Sequence, residues 1–260
     1  MPVKRTENIV VDVWNADKFR AALVSALIAL GYKQVAGSGN DLIFSIAAPL
    51  SKPPKDQAYL RVLVEQLSVT NIRTQVWQGD GVNQNTLLNS APIMVEAVGN
   101  ANIIGYGSGE SFPIKFVAFD SAEVKLVCWM RSDNQQSIGN AGFIFPSMKS
   151  ESWPDNSLFA FAATHVDFGA LRCLPGNPYG PGWQDFSPYH EGFPNNVNFG
   201  GNRDILKRLI VSREGGIAGQ TSPDIGILAA GGMGQLAEYE SGGEVWVNIR
   251  NARSLAFRVA

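Results

Sequence analysis

The residues best suited to do chemistry are few. Two histidines, His165 and His190, and two cysteines, Cys128 and Cys173, are all that the 260 residues contain. Any conventional metal centre or nucleophile–base pair would have to draw on them. Structural zinc ligands come as close pairs, about two to five residues apart, because one short turn must present both. No two of these four residues stand that close, so no metal is expected. A Cys or Ser nucleophile working with His165 or His190 would rest on counting alone, since no motif surrounds them. The chain holds no G-x-x-x-x-G-K-[ST], G-x-S-x-G or H-E-x-x-H pattern. Gly105-Tyr106-Gly107-Ser108-Gly109 has the glycine density of a phosphate loop, but Phe112-Pro113-Ile114 after it reads as a strand start and not a helix. A hairpin turn is the expectation there. Gly231-Gly232-Met233-Gly234 likewise reads as a tight turn or close backbone contact.

The strongest enzymatic pattern lies in an aromatic stretch. Asp155, Asp167, Asp185 and Glu191 are interspersed with Trp153, Tyr179, Trp183 and Tyr189. Glycoside hydrolysis needs an acid and a base or nucleophile flanking a sugar, and aromatic faces hold sugar rings. The plainer reading has the carboxylates capping turns and the rings packing a loop. Trp153, Tyr179, Trp183, Phe186, Tyr189 and Phe193 are therefore the candidate assembly or binding residues, with no catalytic residue assigned. Charge excludes another class. Lys plus Arg number 21 against 23 acids, a net charge of -2. A nucleic-acid binder needs clustered surplus cations to displace phosphate counterions. The one basic cluster, Arg203, Lys207, Arg208 and Arg213, is diluted by Asp204 and Glu214 and reads as a solvated face.

The elements that must position these residues follow from periodicity. Ile9 to Val13 alternate as a strand or an arm. Asn15 is a fair N-cap, Asp17 sits where the helix dipole favours an anion, and Phe19, Leu23, Ala26, Leu27 and Leu30 recur at helical spacing up to Gly31. Tyr32–Ala36 and Asp41–Ala47 read as a hairpin around Gly37-Ser38-Gly39-Asn40. Residues 1–48 are thus expected to form a small N-terminal α+β unit. Pro49 to Asp56, with three prolines and two lysines, is a surface connection. Residues 57–260 read as a β-rich, sandwich-like region, with strands near Tyr59–Val69, Arg73–Gln78, Ile93–Val98, Ile114–Phe119, Val124–Met130 and Ala141–Phe145. Arg61, Glu65 and Ser68 leave a helix open for the first of these. Val124 to Trp129 reads as a strand buried on most of both faces. Residues 146–202 hold no sustained period and form an irregular aromatic insertion. Strand-like runs return at Leu206–Val211, Asp224–Leu228, Glu244–Ile249 and Leu255–Val259. The fold class expected is α+β, predominantly antiparallel β. The apolar run Ala21–Leu30 is too short to span a bilayer, and acidic residues precede it where a signal peptide needs positive charge. An unprocessed chain outside the membrane is expected.

Three pieces follow one another along the chain. The first is the helix Phe19–Leu30 followed by Gly31-Tyr32 and a hairpin. The second is Val124-Lys125-Leu126-Val127-Cys128-Trp129-Met130, then Asn140-Ala141-Gly142-Phe143-Ile144-Phe145-Pro146 and Ser152-Trp153-Pro154. The third is Val245-Trp246-Val247-Asn248-Ile249-Arg250-Asn251-Ala252-Arg253 and Phe257-Arg258-Val259. In this order the chain resembles a loose group of tailed-bacteriophage virion proteins of the tail, baseplate and neck region. Cys128 stands where basic or apolar residues are more usual in the group, and the aromatic insertion differs in sequence. The resemblance implies a non-enzymatic structural subunit of a virion, with other phage virion proteins as partners and a homo-oligomeric or ring arrangement. It implies no cofactor, no nucleic acid and no membrane partner. The alternative is a virion protein that binds or hydrolyses a host glycan through the aromatic insertion.

Overall fold

Strand β1 (Lys4–Val10) precedes helix α1 (Ala16–Ala29), and the hairpin β2 (Lys33–Ser38) and β3 (Asp41–Ala47) follows directly. The structure, a computed structural model, describes residues 1–10, 15–68, 71–94, 103–104, 113–131, 137–149, 151, 160–163, 171–173, 184–188, 205–207, 210–213, 216–228, 236–249 and 255–260. The long strands β4 (Gln57–Ser68) and β5 (Asn71–Gly79) come next, then the short β6 (Gly81–Asn83), β7 (Thr86–Leu88), β8 (Ala91–Met94) and β9 (Ile103–Ile104). The middle of the chain forms β10 (Ile114–Asp120), β11 (Val124–Arg131) and β12 (Ser137–Ile144). Beyond it lie β13 (Met148–Lys149), β14 (Phe161–Ala163), β15 (Leu171–Cys173) and β16 (Gln184–Pro188). The chain closes with β17 (Ile205–Lys207), β18 (Ile210–Arg213), β19 (Gly216–Gln220), β20 (Ile225–Leu228), β21 (Glu238–Ser241), β22 (Glu244–Asn248) and β23 (Leu255–Arg258).

Every described strand pairing is antiparallel. The fold is α+β and predominantly antiparallel β, with α1 the one helix among the described residues. One sheet runs β2-β3-β4-β5-β8, with β9 also on β5. A central ladder runs β1-β10-β11-β12-β14-β15-β16-β18-β19-β13, and a C-terminal sheet runs β17-β20-β23-β22-β21. The connection at residues 49–56 does not interrupt the first sheet, because β3 pairs with β4 in register from Asp41–Leu63 to Ala47–Gln57.

The helix forms where its sequence says it should. The Asn15 side chain accepts a hydrogen bond from the Asp17 backbone N–H at 2.8 Å, which satisfies one of the orphan donors of the first turn. Gln66 of β4 accepts from the Ala16 N–H at 2.9 Å and ties the helix start to the first sheet. Gly31 ends the helix at φ +93°, a conformation that L side chains rarely adopt. Phe19, Leu23 and Leu27, spaced by four, are buried.

Alternation in the strands builds two cores. In β4 the even-numbered Ala58, Leu60, Val62 and Val64 are buried, while Tyr59, Arg61, Leu63 and Glu65 are half-exposed. These apolar residues meet α1 and one face of the central ladder, namely Ile114, Phe116, Val127, Trp129, Ala141 and Phe143. The opposite face of the same three strands carries Val117, Phe119, Val124, Leu126, Cys128, Met130 and Ile144. That face packs on Ile225, Val247 and Phe257 of the C-terminal sheet and on Ile249 just beyond it. The centre of the ladder is therefore covered on both sides, as the continuous apolar run at Val124–Trp129 predicts. At Gly142 (φ +135°) a Cβ would lie 2.1 Å from the Lys125 carbonyl oxygen. The buried Tyr32 hydroxyl donates to that same carbonyl at 2.8 Å. Burial holds the Tyr32 phenol well above its ordinary range, against a hydrogen bond with the Phe143 backbone that lowers it.

Several expectations change in detail. The first long run is a strand, β4, and not a helix. The N-terminal strand is Lys4–Val10, while residues 11–14 lie outside the described part. Leu206–Val211 is not one strand. It divides into β17 of the C-terminal sheet and β18 of the central ladder, so neighbouring positions serve different layers. The stretch 146–202 contains the short strands β13 to β16. Through them the ladder leaves β12 at Ile144–Phe161 and returns, by way of β18 and β19, to Ser147 and Met148 just beyond β12.

Candidate assembly edge and groove

Strand β1 ends the central ladder. It pairs with β10 from Lys4–Asp120 to Val10–Ile114 and, among the described residues, has no strand on its other side. Its residues are exposed except Arg5 and Val10, which are half-buried, and Ile9 stands 56% exposed. A strand in this position offers a row of backbone donors and acceptors to another chain.

The two faces of β1 differ. Alternation places Arg5, Glu7 and Ile9 on the side of the C-terminal sheet. Arg5 pairs with Glu7 and with Glu238 of β21, and Lys115 of β10 reaches Glu7 at 2.7 Å. Partial burial raises the Glu7 carboxyl, but the Lys115 hydrogen bond and the Arg5 and Lys115 charges outweigh it and leave its pKa below the ordinary value. On the other side, Lys4, Thr6 and Asn8 join Phe116, Ala118 and Asp120 of β10 along a groove of about 310 Å³ beneath α1. The helix contributes only short side chains and one leucine to its wall, Ala22, Ser25, Ala26, Ala29 and Leu30. A helix with larger residues there would overhang the strand edge.

The chain ends are tied to the same region. The Met1 amine lies 3.1 Å from Asp224, and Arg258 of β23 pairs with Asp224 and, at 3.0 Å, with Glu244 of β22. The Val3 N–H donates to the Arg258 carbonyl at 2.8 Å. These contacts hold the start of β1 against the C-terminal sheet and leave Lys4 onward as the free edge.

Of the residues singled out in the sequence, Phe186 lies on β16 opposite Leu171 of β15. Trp153, Tyr179, Trp183, Tyr189 and Phe193 lie outside the described residues, as do Asp155, Asp167, Glu191, His165 and His190. Asp185 is on β16 opposite Arg172. Cys128 is buried on β11, where burial pushes its thiol up to about 12, and Cys173 is on β15. Lys207 and Arg213, two members of the basic cluster, fall on strands of different sheets. Among the described residues no group of His, Cys, Asp and Glu is placed to hold a metal, and no helix is long and apolar enough to cross a membrane. The edge at β1 escaped sequence reasoning: Lys4, Arg5 and Glu7 are of the kind that guard an edge, but nothing in them says that the strand lies at one. The chain matches no family model, no curated protein and no solved structure.

Proposed function

We propose that this chain is a non-enzymatic structural subunit of a bacteriophage particle, in the tail, baseplate or neck, acting through protein–protein assembly. The observation that carries the reading is β1, an exposed strand at the end of a sheet whose centre is already buried on both faces. Such an edge suits assembly by strand addition, in which main-chain hydrogen bonds supply affinity and alternate side chains supply specificity. The order of helix, hairpin, buried strand and terminal strand pair along the chain, which resembles tail-region virion proteins, sets the context. The low charge of the chain fits a protein with several neighbours, since the cores of interfaces are depleted in charged residues. In this reading the subunit resides in the virion, associates with its own copies and with other virion proteins, and needs no cofactor.

The test is sedimentation mass of the purified protein, alone and mixed with head and tail components from the same genome, together with peptide mapping of purified particles. The reading expects a defined oligomer or incorporation into a larger complex, and peptides of this chain at fixed stoichiometry in the particle. A chain that joins no component and is missing from particles would overturn it.

A further inference from the structure

We infer that two copies of this chain pair through β1, antiparallel and centred on Thr6, so that the central ladder runs continuously across a twofold axis. The inference deepens the proposed function, and rests on it, by naming the surface through which the subunit associates with itself.

Register selects the alignment. Along β1, residues that direct their backbone groups at β10 alternate with residues that direct them at the free edge. Two such edges can pair only when like-directed residues stand opposite each other, so the admissible alignments move in steps of two. Centring on Arg5 sets Arg5 against its own copy, and centring on Glu7 sets Glu7 against its own copy. Like charges directly opposite destabilise a strand pair. Centring on Asn8 sets Glu7 against the apolar Ile9 and leaves Arg5 outside the overlap. Centring on Thr6 pairs Lys4 with Asn8 and Arg5 with Glu7 twice over, and places the two threonines against each other. Opposite charges and Thr–Thr are both favourable cross-strand pairs. Among these alignments of Lys4-Arg5-Thr6-Glu7-Asn8, this is the one that sets Arg5 against Glu7 and no like charges against each other.

The surroundings fit the same arrangement. The twofold axis stands perpendicular to the sheet, so both copies of α1 lie on one face and both C-terminal sheets on the other. On the helix face, the groove beside β1 is walled by Ala22, Ser25, Ala26 and Ala29, which leaves room over the edge for Lys4 and Asn8 of the second copy. On the other face, Lys115 at 2.7 Å already supports Glu7, and Glu238 already supports Arg5. Bringing Glu7 of the second copy beside Arg5 therefore extends an alternating row of charges without leaving any member unpaired. The free edge begins at Lys4 because Val3 is engaged with Arg258. An isologous contact of this kind closes on itself and does not propagate into a fibre.

The full-length chain tests this by sedimentation over a concentration series. The wild type is expected to approach twice 28.1 kDa. Arg5→Glu and Glu7→Arg each turn both charge pairs into like-charged ones and should weaken the pairing by about tenfold or more when alone. Mixed in equal amounts, the two variants should re-form the pair, because Arg5→Glu on one copy faces Glu7→Arg on the other. Thr6→Cys should give a covalent pair on mild oxidation, whereas the wild type should not. Thermal melts of each variant establish that it is folded. An oligomer whose mass ignores both charge variants, with no cross-link through Thr6→Cys, would overturn the β1 pairing while leaving the subunit reading in place. A monomer that still joins tail components would do the same. A monomer that joins nothing would overturn both.

Discussion

Phe19 packs the helix onto the central ladder, and its removal has a calculable effect. The ring is fully buried and lies 5.2 Å from Phe116 of β10 and 5.8 Å, edge-on, from Trp129 of β11. Truncating a buried phenylalanine to alanine costs about 3–5 kcal/mol, a sum of lost transfer energy and the cavity left behind. The two aromatic contacts, about 0.5–1.5 kcal/mol each, fall within that range and place this site in its upper half. Against a typical domain stability of about 5–15 kcal/mol, Phe19→Ala should move the denaturation midpoint far to lower denaturant. Urea titration followed by far-UV circular dichroism, at a concentration low enough to keep the chain monomeric, reads the loss. Ile28→Ala on the same helix is the control, because Ile28 is 55% exposed and its loss should stay within about 0.5 kcal/mol. A loss well under about 1 kcal/mol for Phe19→Ala, indistinguishable from Ile28→Ala, would refute the packing of α1 on the ladder. It would mean that this face of the helix is covered only by another chain.

Gly142→Ala should cost more than about 2 kcal/mol by chemical denaturation, since its φ is +135° and the new Cβ would lie 2.1 Å from a backbone carbonyl. Gly243→Ala, also at positive φ but with open space around it, should cost only about 1 kcal/mol. Cys128, buried with its thiol raised to about 12, should resist alkylation at mildly alkaline pH until denaturant is added; mass mapping that finds it labelled within minutes in the native chain would contradict its placement. The folded-state pKa of Glu7 is lowered, so its ion pairs stabilise above the ordinary value of 4.5 and are lost as pH falls through the lower folded value. The stability gap between wild type and Glu7→Gln should accordingly close on acidification below 4.5, and a gap that widens would show the carboxylate to be unpaired.

Helix α1 was legible because its cap, its fourfold spacing and its terminal glycine agree with one another. The same agreement marked the β2–β3 hairpin and the doubly buried β11. The sequence could not tell which strands share a sheet. Leu206 to Val211 is one apolar run by composition, yet β17 and β18 pair with β20 and with β16 and β19 respectively. Nothing in a period of two says where a chain changes layer. The short strands β6, β7 and β21 were missed because three or four residues give too few repeats for alternation to be seen. For the candidate site, residue type points to Trp153, Tyr179, Trp183, Phe186, Tyr189 and Phe193, and of these six only Phe186 falls in the described part. The edge became visible only when β1 was seen at the end of the ladder, because exposure is a property of topology and not of the residues Lys4 to Val10 themselves.

The topology also limits how this chain can meet others. A sheet usually offers a face, and here the faces of β10, β11 and β12 are taken by α1 and the first sheet on one side and by the C-terminal sheet on the other. Among the described residues, what remains is the outer surface of the flanking layers, the end strands of those layers (β2 and β8, β17 and β21) and the two ends of the ladder. One end is the two-residue β13, too short to template much pairing, and the other is the seven-residue β1. Charge on an exposed edge ordinarily keeps other strands away. In β1 the charges are of both signs, spaced by two, and therefore discriminate. A foreign apolar strand would set uncharged side chains opposite Arg5 and Glu7, whereas an antiparallel copy sets each against its opposite charge. The residues that guard this edge against random pairing are the same residues that fit it to a second copy of the chain.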